Sequence, residues 1–506
     1  SEPFPRHFPE LGHLIYAQNI ESHLMKLQSI QLYNYRCFED IIIQLHPKMT
    51  VLVAENGVGK TSILDAIRVA LWPFINSFDL AQSGIANDPA NGITIDDARG
   101  IKTEFGGMVR QLPVKITAEG DWGTNKTETW CRSRLSERQK TWTIDDDKVK
   151  EMKIWASSLQ EKIRQPKFHG TTLPIFGYYG TGRLWAQKNL TKTKKGEKDD
   201  SENQDFKIRT FAYHHCMDPA SSYKHFREWF IWAWTSYTNM QVQQHVSVQD
   251  QSMALDRIRV VQGVIDHFLK SATEWMTLEY SIDKGKTLIL NHPKHGAMSV
   301  DFLSDGIRSI LAMVGDIAHR CIKLNPHLGQ EAAQKTPGIV LIDEVDMHLH
   351  PRWQQLVLTQ LQNAFENIQF IVTTHSPQVL TTVKPECIRA LRWMTLPSEQ
   401  AQRNMIQPQT AHARVEVLDG FAFSEGAESQ QLLKDILGVD PRPENLTIVQ
   451  DLHKYLTLIQ NDHWDSPEAE ALKTKLSAWG HEHEPALIRA EMDIRMRQYR
   501  RQRLGL

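Results

Sequence analysis

Residues 54–61 read A-E-N-G-V-G-K-T, from Ala54 to Thr61. An apolar run, Thr50-Val51-Leu52-Val53, precedes them, and Ile63, Ala66, Ile67 and Ala70 recur behind them on one face of a helix. Strand, glycine-rich turn and helix in that order predict a loop that wraps phosphate. Its backbone N–H groups gather at a helix N-terminus, where the dipole adds partial positive charge. Lys60 supplies a point charge for the β- and γ-phosphates of ATP, and the Thr61 hydroxyl is placed to ligate Mg²⁺. Glu55, Asn56, Gly57, Val58, Gly59, Lys60, Thr61 and Ser62 are therefore the expected nucleotide contacts. The usual first glycine of such a loop is Ala54 here, which fits if its φ is negative.

Further along, Gly338–Pro351 reads G-I-V-L-I-D-E-V-D-M-H-L-H-P. Ile339–Ile342 is a continuous apolar run, as expected of a strand buried on both faces of a parallel sheet. It ends in two carboxylates. Asp343 is expected to hold Mg²⁺ through water, and Glu344 to polarise the attacking water. A second apolar run, Phe370–Val372, ends in Thr373-Thr374-His375-Ser376-Pro377, which puts His375 at the tip of a neighbouring strand, within reach of a γ-phosphate. Phe302–Ser309, F-L-S-D-G-I-R-S, opens an apolar helix (Ile310, Leu311, Met313, Val314, Ile317), so Ser304, Asp305 and Gly306 form a candidate anion site at its N-terminus. Alone, that string could be an ordinary Ser/Asp helix cap.

In this order the four motifs resemble the ABC-type ATPase head, in the branch that holds the SMC, RecF and OLD-like ATPases. Leu27–Leu45, L-Q-S-I-Q-L-Y-N-Y-R-C-F-E-D-I-I-I-Q-L, looks like that branch's first hairpin, with a basic–aromatic corner at Arg36 and Phe38. The resemblance implies an α/β fold: a mixed sheet with its phosphate loop, a helical signature lobe, and hydrolysis of ATP with Mg²⁺. It further implies a dimer in which Ser304 of one copy meets the nucleotide held by the other. Asp305 and Ile307 depart from the usual signature, His350 stands where many relatives carry an aspartate, and Gln111 is only a weak candidate for the Q-loop glutamine.

The bulk properties narrow the rest. A net charge of −2 gives no global drive toward nucleic acid. Cys37, Cys131, Cys216, Cys321 and Cys387 are scattered, which predicts free thiols in a reducing cytoplasm. No apolar stretch approaches about 20 residues, so no membrane contact is expected. His214, His215 and Cys216 lie together, but no second cluster follows at metal-binding spacing, and no metal site is expected there. Tyr223–Trp234 holds six aromatics in twelve positions, a density that favours a core-facing helix over a base-stacking platform. No heptad repeat runs between the phosphate loop and the signature, which excludes a long coiled coil.

The expected organisation is an N-terminal extension at 1–22 and a split ATPase domain at 23–395, then a helical C-terminal domain for partner docking at 396–506. The ATPase domain would carry a β-rich arm (Val114–Ala118, Glu128–Trp130, Thr141–Ile144), a charged insertion near 188–207 and a helical lobe at 208–335. Pro174–Trp185 predicts a short strand and a glycine-rich turn that carries Arg183. The final helix, Pro485–Arg503, is rich in arginine, which suits a helix C-terminus or a docking surface for nucleic acid or an acidic partner.

Y-Y-G-T-G-R-L-W, D-M-H-L-H-P-R-W, T-T-H-S-P-Q and the tail S-Q-Q-L-L-K-D-I-L-G-V-D-x-R-P together resemble the PtuA family of Septu anti-phage defence ATPases, including its retron-associated branch. That resemblance implies a bacterial cytoplasmic ATPase that controls an HNH nuclease, PtuB. In the retron setting a reverse transcriptase and its RNA–DNA product would be further partners. A RecF- or SMC-like DNA-repair ATPase, or an OLD-type ATPase acting on DNA, is the competing expectation; a nucleotide-gated scaffold with negligible turnover is a third.

Overall fold

The structure is a computed structural model that describes residues 25–81, 91–103, 105–138, 142–184, 206–219, 222–243, 245–394, 414–480 and 483–504. The expected extension at 1–22 and nearly all of the charged insertion at 188–207 lie outside the described residues.

The chain opens on a hairpin, β1 (Lys26–Tyr35) and β2 (Phe38–Gln44), whose turn places Arg36 at φ 50°. It continues into β3 (Met49–Ala54), buried at every position, and α1 (Lys60–Ile75). After a small hairpin, β4 (Gly100–Lys102) and β5 (Met108–Arg110), come β6 (Val114–Asp121), β7 (Glu128–Arg134) and β8 (Ile144–Asp145). These last three join the first hairpin in an antiparallel sheet of order β2-β1-β6-β7-β8. Inward positions of β6, Val114, Ile116 and Ala118, alternate with exposed or half-buried ones, as a sheet with one covered face requires. The Trp130 indole donates to the Ala70 carbonyl at 3.0 Å and pins that sheet onto α1. The helix α2 (Asp147–Ile163) follows, capped by the Asp146 carboxylate on the Val149 amide.

A second sheet holds the strands that precede the motifs. Its order is β16-β15-β3-β14-β13-β9, with β9 (Ile175–Tyr179), β13 (Gly338–Ile342), β14 (Ile368–Thr374), β15 (Ile388–Met394) and β16 (Arg414–Leu418). Every pairing is parallel except β15 with β16. β3, β9, β13 and β14 are buried along their whole length, which is why their sequences run apolar without alternation.

Between β9 and β13 stand α3 (Ser222–Val242), α4 (Val248–Thr273) and α5 (Asp305–Leu324). The aromatic helix α3 turns Phe226, Trp229 and Phe230 into the core, as its density required. The lobe is not wholly helical, which corrects the expectation for 208–335. Three strands, β10 (Met276–Ser281), β11 (Thr287–His292) and β12 (Gly296–Ser299), form an antiparallel meander. Its first turn uses left-handed backbone at Gly285 and Lys286.

A division of the chain by contacts falls after Ser429, later than the 395/396 boundary expected. The physical reason is β16, which returns the chain to the edge of the ATPase sheet as a short antiparallel strand. Among its described residues the second unit, Gln430–Leu506, holds most of a short helix, Ser429–Asp435, and three longer ones: α7 (Thr447–Gln460), α8 (Pro467–Gly480) and α9 (Pro485–Leu504), α6 being Val357–Ala364 in the first unit. Leu452, Tyr455, Ile459, Leu476 and Leu487 form its core, and Arg442 grips Glu484 with two hydrogen bonds of 2.9 and 2.7 Å.

Candidate nucleotide site

Three neighbouring parallel strands, β3, β14 and β13, deliver their C-terminal ends to one edge of the sheet, where open α/β sheets bind ligands. From β3 the chain leaves through Ala54, whose φ is not positive, so the alanine is accommodated. Glu55, Asn56 and Gly57 are exposed, Val58 is buried, and Gly57 and Gly59 adopt φ of 83° and 106°. Those two left-handed residues let the loop curl before α1 begins at Lys60.

Lys60 is buried and folds back on the loop, donating to the Ala54 carbonyl at 2.8 Å and the Glu55 carbonyl at 3.2 Å. Burial lowers its pKa, against the pull of Asp343, Glu344 and Asp346. The Thr61 hydroxyl donates to Asp343 Oδ2 at 2.8 Å, which joins the phosphate loop to the end of β13. The Ser62 hydroxyl accepts instead from Arg36 at 3.3 Å. Arg36 also holds Asp65 at 2.7 Å and Asp97 at 2.9 Å, so the basic corner of the first hairpin docks on the first turns of α1.

Asp343 is buried and positioned from behind. Its second carboxylate oxygen accepts from the Thr373 hydroxyl at 2.6 Å, and the same hydroxyl accepts from the Glu344 amide at 2.8 Å. Thr373 thus fixes both acids with one side chain, a role not read from the sequence; the Thr-Thr doublet before His375 was its only signal. Thr374 donates in turn to Asp346 at 2.5 Å. Glu344 sits at φ 47°, a left-handed conformation uncommon for this residue type and concentrated at functional sites. His375 follows β14 half-buried; burial and then the nearby Lys60 charge lower its pKa, which favours a neutral imidazole near pH 7.

Ser304 is the N-cap residue of α5, exposed with Asp305, and Asp305 pairs with Arg308. Gly306 packs so closely that a Cβ there would lie 2.7 Å from the His348 carbonyl. A cavity of about 800 Å³ opens here, lined by Ser304, Gly306, His348, His350, Arg352 and Trp353 among others. No residue from Ala54 to Ser62 lines this cavity. His350 caps the short helix Pro351–Gln354 through the Arg352 amide. Gln111 lies in the turn between β5 and β6, its amide bonded to the Arg99 carbonyl.

Two family descriptions match the chain: "AAA domain" over residues 29–215, and "AAA domain, putative AbiEii toxin, Type IV TA system" over residues 164–381. The chain is an ATPase. The ATPase is 25% identical to the Retron Vc95 probable ATPase of Vibrio cholerae, a match that covers 91% of the chain and 89% of the relative. It is 48% identical to the Septu protein PtuA of Bacillus mycoides over 69% of the chain and 38% of that protein. The SMC head domain from Thermotoga maritima aligns with 79% of the chain and 100% of its own at 12% identity and a TM-score of 0.38, too low to carry an argument. The ATPase fold and the likeness to Septu and retron ATPases, both expected from the motifs, stand on the family matches and the named relatives. Among the described residues no helix is long and apolar enough to cross a membrane.

Proposed function

We propose that this ATPase binds ATP with Mg²⁺ between two copies of itself and serves in an anti-phage defence system of the Septu or retron type. The observation that carries the reading is the convergence of Lys60, Thr61, Asp343, Glu344 and His375 on one sheet edge while Ser304 is exposed at a cavity that the phosphate loop does not line. The Thr61 hydroxyl and the Asp343 carboxylate are hard oxygen donors 2.8 Å apart, a donor pair that fits Mg²⁺. Bound there, the ion would neutralise charge on the β- and γ-phosphates. Lys60 would exchange its two loop carbonyls for phosphate oxygens. Glu344 would orient and polarise the attacking water, and a neutral His375 would donate to the γ-phosphate. Ser304 from the second copy would close the site, and Phe302, 82% exposed beside it, is an apolar side chain that a second copy would cover.

In this reading, nucleotide occupancy sets whether the pair is closed, and the pair controls a separate HNH nuclease, PtuB. A reverse transcriptase and its RNA–DNA hybrid would join where the system is retron-linked. The test is sedimentation of the Glu344→Gln variant with saturating ATP and Mg²⁺. Its phosphate release should fall at least about hundredfold, as removal of one transition-state group typically does, while the protein sediments as a dimer. Glu344→Gln with Ser304→Arg should bind ATP and stay monomeric. A Glu344→Gln protein that remains monomeric, or a dimer indifferent to Ser304→Arg, would overturn the proposal.

A further inference from the structure

The fold brings together three histidines that the sequence keeps apart. His214 and His215 end the short turn that begins at Arg209, and His225 projects from α3. One ring nitrogen from each lies within 4.8 Å of the others. The ring centroids of His214 and His215 are 4.0 Å apart, and His225 stacks on His215 at 5.4 Å. Consecutive side chains ordinarily diverge along an extended chain. Here His215 adopts φ 51°, and that left-handed kink turns both rings toward the same point.

Each ring is also furnished as a ligand would be. His214 hydrogen-bonds the Leu80 backbone through its ring and stacks on Phe211. The Asp218 carboxylate stands 3.9 Å from Nδ1 of His215. A backbone carbonyl or carboxylate behind the ring is the usual outer partner of a metal-bound imidazole. The Nδ1 of His225 is buried with no hydrogen-bond partner, so one polar atom of the cluster is left wanting an acceptor or a metal. Arg320, which donates to the His214 carbonyl at 3.2 Å, is paired at 2.7 Å with Asp316, which offsets its repulsion of a dication.

We propose that His214, His215 and His225 bind a transition-metal dication of the zinc class, with water as a fourth ligand. Three imidazoles are a donor set of borderline softness that selects zinc, cobalt, nickel or copper over magnesium and calcium. Tetrahedral zinc with bonds of about 2.1 Å places its nitrogens about 3.4 Å apart, a distance that small rotations of the three side chains reach. Cys216, next in sequence, is buried and its sulfur is not among the ligand atoms that converge here. The expectation of no metal at His214 and His215 missed His225 because it comes from a different element.

The consequence is a staple. The segment from His214 to Pro219 lies beside β9, with the Tyr178 amide donating to the Cys216 carbonyl at 2.9 Å and the Gly180 amide to the Pro219 carbonyl at 3.3 Å. β9 in turn flanks β13, and the Asp343 amide donates to the Tyr179 carbonyl at 2.8 Å. A metal bridging this segment to α3 ties the signature lobe to the edge of the nucleotide sheet without touching the nucleotide.

The experiment uses the full chain without a histidine tag, stripped by chelator and titrated with Co²⁺ in excess Mg²⁺. One Co²⁺ per chain should bind, with the visible bands of a four-coordinate nitrogen–oxygen site and no thiolate charge transfer, and Zn²⁺ should displace it. His225→Gln and His214→Ala should each weaken Co²⁺ binding at least about tenfold. His46→Ala, which removes a ligand from the other candidate group of His46, Glu386 and Cys387, should leave it unchanged. Because a core variant can misfold, zinc-edge absorption of the unaltered protein is measured too, and should count three imidazoles. Binding that survives His225→Gln, fewer than three imidazoles, sulfur in the shell, or no saturable binding would each overturn the proposal.

Discussion

Gly59 shows how little room the phosphate loop leaves around its turn. Its φ is 106°, and a Cβ there would lie 2.6 Å from both the Cys37 sulfur and the Phe38 ring. Gly57 shares the left-handed backbone at φ 83° but has nothing within 4 Å of its would-be Cβ. Gly57→Ala is therefore expected to cost only backbone strain, about 1 kcal/mol. Gly59→Ala adds a clash with two packed side chains and should cost about 2–4 kcal/mol and abolish nucleotide binding. Urea unfolding and titration with a fluorescent ATP analogue check both; equal costs at the two positions would refute the packing argument. The loop and the acidic pair were legible in the sequence because each is a contiguous string whose chemistry follows from its own residues. Thr373 was not, because nothing in T-T-H-S tells that the first hydroxyl reaches across to Asp343 and Glu344. The sequence marks Arg36 and Phe38 as a hairpin corner; that Phe38 and its neighbour Cys37 close on Gly59 is a contact between distant segments.

At the scale of elements, a side chain inside a strand helps to join the two sheets, as does Arg389 of β15, which donates to the Gln44 carbonyl of β2 at 2.7 Å. Gln369 of β14 is fully buried, and its amide both donates to the Leu27 carbonyl and accepts from the Leu27 amide, each at 2.8 Å, while also donating to the His46 carbonyl at 3.0 Å. It thus imitates a strand backbone and satisfies three main-chain groups, two on β1 of the first sheet and one in the turn after β2. Gln369→Leu keeps the volume and orphans all of them, so a loss of about 3 kcal/mol or more is expected in chemical denaturation. A loss below about 1 kcal/mol would show that the sheets hold together without it. A glutamine within the run I-Q-F-I-V gave no sign of this; it breaks a buried pattern, and only the neighbouring sheet explains why. The continuous apolar strands were legible by their burial on both faces. β10 to β12 and β16 were not, since short strands that alternate polar and apolar residues yield weak signals beside a long helix such as α4.

For the whole molecule, α5 sets an acid limit on stability. His319 is buried, its ring 4.3 Å from that of Trp229 at a tilt of 33°, and it is bonded to Asp316 at 3.4 Å. Burial, against the favourable Asp316 and aided by Lys323 and Arg320, holds its pKa at about 4, below the ordinary 6.5. The unfolded chain takes up that proton as the pH falls through 6.5, and the folded chain only near 4. Between these values the unfolded state binds more protons, so this contribution is complete above 6.5 and lost on acidification toward 4. Asp316, held at about 2 although burial opposes it, chiefly by the Arg320 charge, gives way only at lower pH. The urea midpoint of the first unit should therefore fall between pH 6.5 and 4.5, and fall less steeply in His319→Gln. Parallel slopes in the two proteins would exclude His319 as the source. The two-copy arrangement belongs to this scale as well, and the order of motifs implied it only through the resemblance they carry.

Glu344 gives the last consequence. A glutamate held at φ 47° is under a conformational load of about 1 kcal/mol that asparagine or glycine would bear more easily. Selection for heat resistance alone would favour those replacements. With the role proposed above for Glu344, robustness and turnover are opposed at this one backbone position, and a library screened only for survival at high temperature should enrich inert proteins altered there.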